Sequence, residues 1–117
     1  MAGDRTKRIA ELNDRLRAAL GTCCGVPGMV VTTCGIAALD ECTKVHILQA
    51  VRHFQDFSED SDPYGEHDFG KLEIDGVGRV LWKIDYYADV ECVMGSEDPA
   101  DTNQSYRVLT IMLACEY

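Results

Sequence analysis

Two hydrophobic periods divide the chain near residue 69. Before that point apolar residues recur at helical spacing, and after it they alternate. Over residues 5–20, Ile9, Leu12, Leu16 and Leu20 fall on one stripe of an amphipathic helix, with Asp4 as N-cap and Gly21 as the stop. "TCCGVPG" reads as a loop. "MVVTT", residues 29–33, is β-branched and predicts a short strand, and "CGIAAL" follows with a turn at Gly35. A second helix is expected over 41–54, capped by Asp40 and burying Ile47, Leu48, Val51 and Phe54.

In the second half, "FGKLEID" sets Leu72 and Ile74 against Lys71, Glu73 and Asp75. "GVG" at 76–78 signals a hairpin turn. In "RVLWKIDYY", Val80, Trp82, Ile84 and Tyr86 share one face, and Leu81, Lys83, Asp85 and Tyr87 share the other. The stretch "ADVECVMGSEDPADTNQS" is a long acidic connection with room for a short strand at 90–94. "YRVLTIMLACEY" is apolar on both faces, as a central strand requires. The pattern predicts one α+β domain over residues 1–117, with two N-terminal helices packed on one face of a mainly antiparallel sheet. A chain of 117 residues is long enough to bury a core of that kind.

Charge narrows the functional classes. The chain holds 11 Lys and Arg against 20 Asp and Glu, a net of −9. Residues 56–117 hold 4 basic and 15 acidic side chains, or 4 − 15 = −11. Phosphate backbones are repelled by such a surface, so direct nucleic-acid binding is not expected. A basic protein that itself handles nucleic acid fits better. No apolar run approaches the roughly 20 residues of a membrane span, and the charged N-terminus lacks the features of a signal peptide. The expectation is a cytoplasmic protein with no membrane partner; the oligomeric state is not legible.

The densest candidate chemistry is "SEDSDPYGEHDFG", residues 58–70. A calcium loop from Asp60 fits at its first, third and sixth positions but meets Lys71 where a bidentate Glu is needed. A transition-metal or magnesium site could draw on Glu66, His67, Asp68 and Asp85, which makes a small metal-dependent enzyme the alternative function. Nothing in the spacing enforces that meeting, so no cofactor is expected. The leading candidates are partner-binding residues: Glu59, Asp60, Asp62, Tyr64, Glu66 and Asp68 in one patch, with Asp85, Tyr87, Asp89, Glu97 and Asp98 in a second. Arg and Lys recognise carboxylates much as they do phosphates, and Tyr is at home at interfaces.

"EDSDPYGEHDFG", "WKIDYY", "SEDPAD" and the closing "RVLTIMLACEY" resemble a small bacterial family classed as a domain of unknown function. The resemblance implies a compact α+β domain, no established reaction, and a setting on plasmids and prophages. Relatives usually carry Ser where this chain has Cys115, and "TCCG" is unusual. In that setting a small acidic domain is similar, in size and charge, to anti-CRISPR proteins and DNA mimics. The expected function is therefore a non-catalytic acidic inhibitor of a nucleic-acid-handling complex.

Six cysteines, Cys23, Cys24, Cys34, Cys42, Cys92 and Cys115, include no Cys-x-x-Cys pair. They are expected to be free thiols in a reducing compartment. Titration of freshly purified, unreduced protein with a thiol reagent after denaturation should count six; linked pairs or stoichiometric zinc would contradict this.

Overall fold

The computed structural model describes residues 2–20, 25–58 and 62–117. The elements run α1 (Ala2–Ala19), β1 (Gly28–Thr32), α2 (Cys34–Ala37), α3 (Glu41–Arg52), β2 (Phe69–Ile74), β3 (Gly78–Tyr87) and β4 (Tyr106–Leu113), with a 3₁₀ turn at Ala114–Glu116. Helices dominate before residue 69 and strands after it, so the domain is α+β.

Leu12 and Leu16 of α1 and Ile47 and Val51 of α3 are buried together with Val80, Trp82 and Ile84 of β3. Leu109 and Ile111 of β4 complete the same core. Val80, Trp82 and Ile84 of β3 alternate into this core as the pleat requires, and Leu81 between them is buried as well. Asp40 caps α3 as expected: its carboxylate accepts the Thr43 N–H at 3.1 Å and the Thr43 hydroxyl at 2.5 Å. Phe54 is buried just beyond the last turn of that helix.

The sheet order is β1-β4-β3-β2. β2 pairs antiparallel with β3, and β3 with β4. β1 runs parallel to β4, so the sheet is mixed rather than uniformly antiparallel. Everything from α2 to β3 lies between β1 and β4 in the chain. Apolar alternation is the same for either strand direction, so only the path of that long connection decides it. β4 has a neighbour on each side, which its two apolar faces called for.

Three local expectations are corrected. Asp4 lies within α1, which begins earlier. "CGIA" forms the short helix α2, placing Ile36 in the core, where a turn had been expected. Residues 90–94 form no strand, with a turn at 90–91 followed by irregular backbone, and pairing nearby is limited to one antiparallel bridge between Tyr87 and Gly95. The expected helix stop at Gly21 lies outside the described residues, as do Cys23 and Cys24. Cys34, Cys42, Cys92 and Cys115 are free, the first, second and last of them exposed.

The Glu116 carboxylate ties the chain's end to α2. It accepts the Thr33 hydroxyl at 2.5 Å, the Gly35 N–H at 2.9 Å and the Leu113 N–H at 3.0 Å. Those bonds, the Thr33 one foremost, hold the carboxyl below its ordinary range.

Gly70 of β2 lies directly opposite Trp82 of β3. A Cβ at this position would strike the Trp82 indole and come within 2.9 Å of the Phe54 ring. Both rings belong to the core, with centroids 5.5 Å apart in an edge-to-face arrangement. Gly70→Ala should therefore cost about 1–3 kcal/mol in a denaturant titration. Lys71→Ala, at the next and exposed position, should stay within about 0.5 kcal/mol.

Candidate functional site

The motif loop is built around Asp62. This residue was expected in an exposed acidic patch, but it is buried. Its Oδ1 accepts the backbone N–H groups of Glu66 at 3.1 Å and His67 at 3.2 Å. Its carbonyl accepts the Gly65 N–H at 3.1 Å. A carboxylate is the natural acceptor for converging backbone donors in a tight turn. The turn also needs left-handed backbone at Gly65 (φ +69°), where glycine is at ease, and at His67 (φ +56°), where it is not.

Side-chain contacts hold His67 in that conformation. Its Nδ1 lies 2.9 Å and 3.0 Å from the two carboxylate oxygens of Asp14. Its Nε2 lies 3.8 Å from Asp62 Oδ2. Its ring stacks on Phe57 at 3.9 Å between centroids and 4° between planes. Asp14 also bonds Arg17 at 2.9 Å. The buried Arg17 in turn caps the end of α3, donating to the Val51 and Phe54 carbonyls at 2.9 Å each. A cleft of about 490 Å³ opens beside this group, with Arg52, His53 and Phe54 among its walls.

On the other side of the loop, the Glu66 Oε1 accepts the Tyr86 hydroxyl at 2.9 Å. Asn13 donates to that hydroxyl at 2.8 Å and to the Glu66 carbonyl at 2.9 Å. The Asn13 oxygen accepts the Arg107 Nε at 2.6 Å. Arg107 further donates to Ser105 at 3.0 Å and to the Pro99 carbonyl at 2.5 Å, and its guanidinium lies 5.1 Å from the Tyr86 ring centroid. Burial, more than any neighbouring charge, holds the Tyr86 phenol far above its ordinary range.

The predicted site residues separate accordingly. Glu59 and Asp60 lie outside the described residues. Tyr64 is 80% exposed, at the tip of the motif loop. Asp68 is partly buried, and its carboxyl is raised above the ordinary range by burial first, then by the charges of Glu66, Asp62 and Asp85. Asp85 forms an ion pair with Lys83 at 2.9 Å. Tyr87 is half-buried, while Asp89 and Glu97 are exposed. Asp98 is held by Arg5 at 3.2 Å and accepts the Ala100 N–H. Of the second patch, Asp85 and Tyr87 thus lie in β3, and Asp89, Glu97 and Asp98 in the β3–β4 connection.

The set Glu66, His67, Asp68 and Asp85 does not converge on one point. The imidazole turns toward Asp14 and Phe57, while the Glu66 carboxylate turns toward Tyr86. Among the described residues no group of three or more His, Cys, Asp and Glu side chains is placed to hold a metal ion. No helix among them is long and apolar enough to cross a membrane.

Sequence reasoning missed Asn13, Asp14, Arg17 and Arg107, and also Glu91, Val90, Val93 and Met94. The signal for the first group was available. Asn13 and Arg17 interrupt the core-facing side of the first helix beside Leu12 and Leu16. Arg107 occupies the strand face of Leu109 and Ile111. A polar residue at a core position has to find partners, and Asn13, Arg107 and the terminal nitrogens of Arg17 do, while the Arg17 Nε is left without one among the described residues.

Fold and site together define a small α+β domain whose carboxylate-bearing loops are held over a buried polar network. The chain belongs to the family described as "Protein of unknown function (DUF3768)", which matches it over residues 32–116. No curated protein and no solved structure matches it.

Two outcomes test this geometry. The raised Asp68 carboxyl means that the folded state holds this proton more tightly than the unfolded chain does. The charged form therefore opposes folding at neutral pH, and that opposition fades as pH falls through the folded-state value. Asp68→Asn should raise the melting temperature at pH 7, with the gain shrinking as the wild-type carboxyl becomes protonated in acid. By contrast, Arg107→Met should destabilise by about 1–3 kcal/mol for each buried acceptor left unpaired, measured by denaturant titration.

Proposed function

We propose that the protein is a non-catalytic binding protein that docks, through its carboxylates, onto the basic surface of a nucleic-acid-handling protein. It would compete there with the phosphate backbone in the manner of a DNA mimic or anti-CRISPR inhibitor. The observation that carries this reading is the β3–β4 connection. Between Lys83 and Arg107 the chain has six carboxylates (Asp85, Asp89, Glu91, Glu97, Asp98 and Asp101) and no Lys or Arg. Asp89, Glu91 and Glu97 are exposed, and none forms an ion pair among the described residues. Uncompensated charge on a fixed loop speeds encounter with an opposite patch.

The resemblance to proteins of plasmids and prophages adds a setting in which inhibitors of nucleic-acid-handling complexes are useful. Size and charge supply the analogy, which is not a motif match.

The test begins with affinity purification from the native host and continues with the purified partner. Binding should weaken markedly between low and physiological salt, chiefly through a slower on-rate. Reversing Asp89, Glu91 and Glu97 to Lys should weaken it by at least about tenfold. Reversing Glu11, exposed on α1, should change it little. DNA should compete for the partner without binding this protein. Tight DNA binding by the protein itself at physiological salt, or indifference to the loop reversals, would overturn the proposal.

A further inference from the structure

The same connection carries an apolar tip. Of the large apolar side chains left exposed, Val90 (65%), Val93 (78%) and Met94 (72%) fall within five consecutive positions. The segment is not a slack loop. The Ala88 N–H donates to the Met94 carbonyl at 2.7 Å, Cys92 to Asp89 at 3.2 Å, and Ser96 to Tyr86 at 3.1 Å. The Asp89 carboxylate caps the turn by accepting the Glu91 N–H at 3.0 Å. Cys92 takes left-handed backbone at φ +56°. The bridge between Tyr87 and Gly95 continues β3 into this hairpin-like projection. A concavity of about 360 Å³, lined in part by Ala88, Met94 and Glu97, adjoins it.

We propose that Val90, Val93 and Met94 anchor the protein to its partner by entering an apolar pocket rimmed by Lys and Arg. This deepens the proposed function and rests on it. Clustered, exposed apolar side chains held by a fixed backbone mark interaction surfaces. Methionine adapts its shape to a pocket, and a desolvated apolar centre within a charged rim is how protein interfaces concentrate affinity. The rim settles the class of partner. Asp89, Glu91 and Glu97 repel nucleic acid and the anionic surface of a membrane. They also oppose a second copy of this chain placed tip to tip. A protein surface with basic residues around an apolar pocket satisfies both the charge and the apolar tip.

The test uses the full chain, isotopically labelled, and two defined probes: an amphipathic helical peptide of Leu and Lys, and an oligolysine of equal charge. The Leu/Lys peptide should shift the amide signals of residues 88–97 and bind at least about tenfold more tightly than oligolysine. The double variant Val93→Ser, Met94→Ser changes only exposed positions, so its circular dichroism should match the parent. It should lose the advantage of the Leu/Lys peptide and keep the oligolysine affinity. Equal affinity for the two probes, an unaltered Leu/Lys affinity in the variant, or shifts confined to other residues would overturn the anchor while leaving the charge-based reading standing. Failure of both probes to bind would remove both. Sedimentation showing a dimer that the double variant dissolves would assign the tip to a second copy and overturn the proposal.

Discussion

The buried guanidinium of Arg107 is the constraint on which the arrangement of loops depends. It lies in the core face of β4 with no ion pair to a carboxylate among the described residues, and burial lowers its pKa from the ordinary value. A cation in that place has to be solvated by the protein itself. Asn13 of α1, Ser105, the Pro99 carbonyl and the Tyr86 ring provide that solvation. These partners come from three segments, Ser105 and Pro99 both lying in the β3–β4 connection. Satisfying one charge therefore fixes α1, β3 and the end of the β3–β4 connection relative to one another. Asn13 extends the network to Glu66, so the motif loop is positioned by the same group.

A second network does comparable work where α1 meets α3. Arg17 caps the end of α3 and pairs with Asp14, and Asp14 holds His67. Arg17 also lies over the Phe57 and Trp82 rings, at 5.3 Å and 5.0 Å from their centroids. The two networks enter the motif loop from opposite sides, at His67 and at Glu66. Asp62 closes it from within. Within the described part of this acidic run, Asp62 and Glu66 thereby serve as structural acceptors.

That division bears on function. Asp62, Glu66 and Asp98 are occupied in holding the fold, and Asp85 is paired with Lys83. Asp89, Glu91 and Glu97, exposed and without an ion pair among the described residues, lie on the same projection as the exposed apolar tip. Charge there serves encounter and partner choice, while apolar area serves affinity. The rigid network behind the projection favours both, because little ordering remains to be done on binding.

The order of helices and strands, the cap at Asp40, the buried face of β3 and the interior place of β4 were legible because each depends on local period or a local side-chain bond. The charge excess was legible by counting. Direction could not be read for β1, since a strand buries the same residues whether its neighbour runs parallel or antiparallel. Nor could the fate of each carboxylate be read. Asp62 and Asp89 look alike in the sequence and both accept backbone N–H groups, yet one is buried and the other exposed. Asp62 lies in the motif loop, which is held against the domain by bonds to Glu66 from residues as distant as Asn13 and Tyr86. Sequence determined most of the elements, the main core face and the net charge; tertiary structure decided the direction of β1, the helix at Cys34–Ala37 and the pairing of Glu66 and Asp98, because partners far apart in the chain meet only once the layers have packed.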